Sequence, residues 1–145
     1  MKSKEHVLSR QDITGYAKAF DPQPYHLDEA AAQASIFGGL CASGWQVAAL
    51  GTRLIGEALL TADIAFVDIT RVDELRWKRP SFVDTALAAR IEQYKLTSGS
   101  AIPCCDTAHL SVTLINHEDQ VVAELQCQVA IDQRGMAGLA QERSS

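Results

Sequence analysis

Asp21, Gln23 and His26 stand close together in the segment DPQPYH. A carboxylate and an imidazole can share one water as general acid and base, the carboxylate orienting the ring or raising its pKa. Pro22 and Pro24 stiffen this segment, and five residues of extended chain reach about 17 Å. A turn must therefore bring Asp21 and His26 together before they can act as a pair. Without one, both are ordinary solvated loop residues. A second candidate for chemistry is the start of SGWQVAALGTRLIGEALL, Ser43 to Leu60. The first amides of a helix have no partner within it, and the dipole adds partial positive charge there. Gly44 leaves room for a ligand to approach those amides. This is the making of an oxyanion site.

The elements that must position these groups can be read from periodicity. At helical spacing the strongly polar residues of Ser43–Leu60 are Gln46, Arg53 and Glu57, which share one narrow stripe, with Thr52 on the apolar side. A helix with so little polar surface should be covered nearly all round and form the core. Ser43 followed by Gln46 has the form of a capping box. Ser9 with Asp12 repeats that form, and Ile13, Tyr16, Ala17 and Phe20 follow at helical spacing until Pro22 forces a stop by Asp21. DPQPYH then reads as a loop. Asp28–Glu29 and AAAQA read as a short helix that Gly38–Gly39 end.

Downstream the period changes to two. Val7–Leu8, Ile64–Ile69 and Glu74–Arg79 are short or weak strand signals. Leu87, Ala89 and Ile91 alternate more clearly, as do Leu110, Val112 and Leu114. The strongest run is Val121, Ala123, Leu125, Cys127, Val129 and Ile131. Such alternation belongs to an antiparallel sheet covered on one face. Asn116–Gln120 reads as a turn, Thr97–Asp106 as a loop. Helices first and strands afterwards predict an α+β domain, residues 1–135, with a polar, fraying tail at 136–145.

A chain of 145 residues suits one domain. Its net charge of −5 supplies no basic stripe for nucleic acid. Residues 1–10 lack the apolar run of a signal peptide, and Arg53, Glu57 and Asp63 interrupt the longest apolar stretch. Cys41, Cys104, Cys105 and Cys127 have no metal-site spacing and read as reduced thiols. A cytoplasmic protein without a metal is the expectation.

FDPQPYHLDEAAAQASIFGGLCASGW resembles the MaoC-like dehydratase family, a hotdog-fold group that includes (R)-specific enoyl-CoA hydratases. The matching residues are Asp21, Gln23, Pro24, His26, Phe37, Ser43 and Gly44, in order and separated, and ELRWKRPSFVDT (74–85) is similar to the family's strand and turn after the long helix. The chain departs from the family's usual residues at Gln23 (commonly Asn), Ser43 (often His) and Val83 (often Gly). The resemblance implies a curled antiparallel sheet wrapped around the central helix; the edges of such a sheet would invite a second copy, so at least a homodimer is expected. It implies that Asp21 and His26 hold the water added to the β-carbon of an acyl thioester. The Gly44 amide would donate to the thioester oxygen, with Gln23, Ser43, Phe37 and Thr52 toward the substrate. Thr52 can equally bond back to a helix carbonyl. No cofactor is implied beyond the coenzyme A or acyl-carrier thioester that brings the acyl group.

Two other functions remain open at this point. Glu57 could activate water in a thioesterase on the same fold, or simply pair with Arg53. A non-catalytic acyl-thioester binding module would not need the Asp–His pair. Arg71, Arg76, Lys78 and Arg79 could meet phosphates of the carrier or form a solvated sheet face. Trp45 and Trp77 read as packing residues.

Overall fold

The computed structural model describes residues 1–135; the tail expected at 136–145 lies outside them. The elements run β1 (His6–Val7), α1 (Arg10–Phe20), α2 (Pro24–Leu27), α3 (Glu29–Ala34), α4 (Gly44–Leu60), β2 (Phe66–Trp77), β3 (Ala86–Thr97), β4 (Cys105–Asn116) and β5 (Val121–Asp132). All strands pair antiparallel in the order β1-β3-β4-β5-β2. Sheet residues such as Leu87, Val112, Leu114, Ala123 and Val129 meet Leu54, Ile55 and Leu59 of α4 in one core. Gly51 matters to this packing, because a Cβ there would lie 3.2 Å from the Leu114 side chain. This is the expected hotdog arrangement: a curled sheet around a hydrophobic helix.

Local sequence explains the helix ends. Ser9 Oγ accepts from the Asp12 amide while Asp12 accepts from the Ser9 amide, a complete capping box. Asp28 caps α3 through the Ala31 amide. The segment expected as a stiff loop instead contains α2. Pro24 occupies its first turn, where a missing N–H costs nothing.

Two further expectations change. The weak signals at Ile64–Ile69 and Glu74–Arg79 are one strand, β2, with register shifts at Phe66/Asp68, Ile69/Arg71 and Val72/Glu74. Each irregularity resets the side-chain alternation, which hid the strand's length. The central helix is also not covered all round. Trp45 is 61% exposed and Leu60 51%, and Ala49 and Arg53 between them are exposed too. The sheet of one chain curls around only one side of it. Val72 and Trp77 of the edge strand β2 are exposed as well.

Candidate active site

α2 provides the turn that the pair requires. The Asp21 carbonyl accepts from the Gln23 amide and the Gln23 carbonyl from the His26 amide. Chain direction reverses within six residues, and His26 Nε2 comes to 3.5 Å from Asp21 Oδ2. The imidazole is buried, with its side chain 8% exposed, while the carboxylate keeps 27% of its surface. Tyr25 packs edge-on to the imidazole at 4.6 Å between ring centres and touches Phe37 on its other side.

A backbone carbonyl fixes the state of the ring. His26 Nδ1 lies 2.7 Å from the Cys41 carbonyl oxygen, which can only accept. Nδ1 therefore carries hydrogen, and Nε2 is the nitrogen left to exchange a proton toward Asp21. The Cys41 thiol lies 3.9 Å from the same Nδ1, and burial raises its pKa. On the other side of the pair, the buried Ser43 hydroxyl donates to Asp21 Oδ2 at 2.7 Å. One carboxylate oxygen is thus held by a hydroxyl and faces an imidazole.

That hydroxyl bond overturns the capping box expected at Ser43. Ser43 precedes α4 without a side-chain cap, and Gln46 Nε2 donates to the Asp12 carbonyl instead. The first amides of α4 are left uncapped by side chains beside a cavity of about 460 Å³, which Asp21, His26, Phe37, Cys41, Gly44 and Trp77 help to line. Trp77 Nε1 donates to the Gly44 carbonyl at 2.7 Å, and its ring lies against Gly44 so closely that a Cβ would stand 2.8 Å from the indole nitrogen. Glycine is required here by close approach. Trp45 packs edge-on to Trp77 at 5.0 Å.

The structure brings together Asp21, His26, Ser43, Gly44 and Phe37. It does not bring in the others. Gln23 is exposed ahead of α2 and does not line the cavity. Thr52, two turns along α4, is also absent from its lining. Glu57 pairs with Arg53 at 3.1 Å on the open side of α4. The cations of β2 and the residue after it are neutralised: Arg71 pairs with Asp73, Arg76 with Glu74, and Lys78 reaches Glu124 at 3.8 Å. Sequence reasoning missed the Cys41 carbonyl and the catalytic-side position of Trp77. Any residue offers a carbonyl, so Cys41 carries no signal of its role. Trp77 reads from the sequence only as a packing residue within ELRWKRPSFVDT, and nothing there ties it to Gly44, 33 positions away.

Among the described residues no three His, Cys, Asp or Glu side chains converge as metal ligands would, and no helix is long and apolar enough to cross a membrane. Cys41, Cys104 and Cys127 are free thiols.

Comparison with known proteins agrees with the fold. The profile of the MaoC like domain matches residues 1–113. "Uncharacterized protein YdeM" of Bacillus subtilis (strain 168) is 34% identical over 92 residues, 63% of this chain and 64% of that protein. The match thus spans just under two thirds of that relative. The crystal structure of the MaoC-like dehydratase from Rhodospirillum rubrum superposes with a TM-score of 0.73 at 31% identity, covering 90% of this chain and 88% of that one. The (R)-hydratase from A. caviae involved in PHA biosynthesis shares the fold, with a TM-score of 0.64 at 20% identity over 89% of this chain and 92% of its own. So does the HadBC (3R-hydroxyacyl-ACP dehydratase) complex from Mycobacterium tuberculosis, with a TM-score of 0.69 at 16% identity over 90% and 94%. The chain belongs to the MaoC-like dehydratase family, and its fold is the hotdog fold.

Proposed function

We propose that this protein is an (R)-specific enoyl thioester hydratase that also runs in reverse as a 3-hydroxyacyl thioester dehydratase. The observation that carries the reading is the 3.5 Å approach of His26 Nε2 to Asp21 Oδ2 in the cavity that Gly44 also lines. A water between two proton acceptors can donate one hydrogen to each. As its oxygen bonds to the β-carbon of a trans-2-enoyl thioester, one proton passes to the Asp21–His26 pair. Negative charge moves onto the thioester oxygen, where the Gly44 amide at the start of α4 donates to it. The pair then returns a proton to the α-carbon, and the net change is the addition of one water. The reverse steps release water from the 3-hydroxyacyl thioester. The chain supplies all of the proton transfer and charge stabilisation this scheme needs.

The acyl group arrives on coenzyme A or on an acyl carrier protein. The working unit is at least a homodimer: β2 leaves an unpaired sheet edge, and Trp45, Leu60, Val72 and Trp77 expose apolar surface on and beside it. A thioesterase using Glu57 has less support, because that carboxylate pairs with Arg53 away from His26.

The test is hydration of crotonyl-CoA, followed by loss of the enoyl thioester absorbance. Wild type should turn over, and Asp21→Asn or His26→Ala should lose about 100- to 10,000-fold, the usual worth of general acid–base catalysis. Equal rates for wild type and both variants would sink the assignment. Release of free thiol that depends on Glu57 rather than His26 would put the thioesterase in its place.

A further inference from the structure

Seven arginines fall among the described residues, and six of them reach a carboxylate within 4 Å. Arg79 is the exception. Its guanidinium donates at 2.9 Å to the Val121 carbonyl, which leaves its charge unneutralised among those residues and its remaining donors open to an acceptor. The position is as unusual as the pairing. Arg79, Pro80 and Ser81 line the cavity that holds His26, and the same three residues line a second hollow of about 400 Å³. They form the rim between the two. The second hollow mixes polar side chains, Thr85, Asn116, His117 and Gln120, with apolar Phe82 and Val122, and the carboxylate on its wall, Glu118, is 3.6 Å from His117.

The rim is held from both sides. The Lys78 and Arg79 amides donate to the Val122 carbonyl, and the Ala42 amide donates to the Ser81 carbonyl at 2.8 Å. Cys41 and Phe82 form an isolated bridge next to it. Ser81 is 3% exposed, and among the described residues its hydroxyl has no hydrogen-bond partner. A buried hydroxyl left unmatched on the wall of two hollows is a cost that an acceptor on a bound molecule would remove.

We propose that Arg79 is an anion subsite for the carrier of the acyl group: it binds the phosphate ester of a pantetheine arm that crosses the Arg79–Ser81 rim. This rests on the hydratase reading, in which the thioester lies beside His26 and Gly44. A guanidinium is suited to phosphate because its fork of donors matches two oxygens at once. That phosphate is common to coenzyme A and to the prosthetic arm of an acyl carrier protein, and both can be supplied as the crotonyl thioester. Arg79 touches no reacting atom. It should act on KM and leave kcat alone.

The experiment compares wild type, Arg79→Gln and Arg79→Lys on crotonyl-CoA, crotonyl-acyl carrier protein and crotonyl-N-acetylcysteamine, which lacks phosphate. Glutamine can keep a bond to the Val121 carbonyl, so the fold should hold. Its KM for crotonyl-CoA should rise about tenfold or more, the worth of a hydrogen bond to a charged group. kcat on all substrates and both constants for the N-acetylcysteamine ester should stay as in wild type. Lysine should recover part of the loss. A KM rise on both carriers places Arg79 at the shared phosphate and supports the proposal; a rise on crotonyl-CoA alone places it at the coenzyme's other phosphates and overturns the pantetheine-phosphate assignment. An unchanged KM for crotonyl-CoA, or an equal loss on the phosphate-free ester, overturns it. If wild type turns over none of the three, the hydratase reading fails separately. Calorimetric titration with coenzyme A then decides the subsite: binding lost in Arg79→Gln upholds it, and binding equal in both proteins, or absent from wild type, rejects it.

Discussion

Ser9 and Ser43 stand at the starts of α1 and α4 in the same local pattern, SRQD and SGWQ, a hydroxyl residue followed three positions later by a polar side chain. Their fates differ. At Ser9 both reciprocal bonds form, and the box closes on itself. At Ser43 neither forms: the hydroxyl turns to Asp21, and Gln46 reaches across to the Asp12 carbonyl of α1. The first helix start is satisfied locally and contributes stability. The second gives its hydroxyl to the Asp21 carboxylate beside His26 and leaves its own amides toward a cavity. The same four-residue pattern can thus serve the fold at one place and the site at another. What decides is whether a stronger acceptor is brought within reach.

This contrast can be broken at several points. The largest effect should come from Gly44→Ala, which sets a Cβ 2.8 Å from the Trp77 indole. Either the indole or the helix start must move, and kcat for crotonyl-CoA should fall about 100-fold, as when an oxyanion donor is lost. Pairing it with Trp77→Ala, which removes the clash, should return part of that loss if the mechanism is steric. Full activity in the single variant would mean that the start of α4 takes no part. Next is Ser43→Ala. It removes the donor to Asp21 and should lower kcat about tenfold, while the urea midpoint stays near that of wild type because this hydroxyl caps nothing. A large stability loss with unchanged kcat would reverse the roles assigned here.

Ser9→Ala should do the opposite. Losing a true cap costs about 1 kcal/mol, visible in urea denaturation, and kcat should not change. The smallest effect is in pH. The bonds with Ser9 hold the Asp12 pKa below its ordinary value of 3.8. A folded-state pKa that is depressed stabilises the protein above the unfolded value, and the contribution is lost as pH falls through the folded one. The stability gap between wild type and Ser9→Ala should therefore be constant from neutral pH down to about pH 5 and narrow below pH 4. A gap that widens with acid would contradict the capping box. Thiol labelling gives a separate check on burial: Cys127, its pKa pushed up to about 11 by desolvation, should resist alkylation at pH 8 while exposed Cys104 reacts.

Local chemistry determined much of this protein. Ser9–Asp12 and Asp28 mark helix starts, Pro22 stops α1, and alternating apolar residues mark β3 to β5, because each of these depends on neighbours within a few positions of the chain. The irregular register of β2 erased its own signal for the same reason, since period-two reading needs an unbroken pleat. The Asp21–His26 pair was legible as residue types, yet whether the two would meet depended on α2 folding where a loop was expected. Tertiary structure alone decided the rest. It directed the Ser43 hydroxyl to Asp21, set the Cys41 carbonyl against His26 Nδ1, pressed Trp77 onto Gly44, and left Gln23, Thr52 and Glu57 outside the cavity. Each of those outcomes joins residues 15 or more positions apart or turns a helix face one way rather than another. Sequence names the donors and acceptors, but which of them meet is fixed only when the sheet curls around α4 and the competing partners are brought within 3 Å.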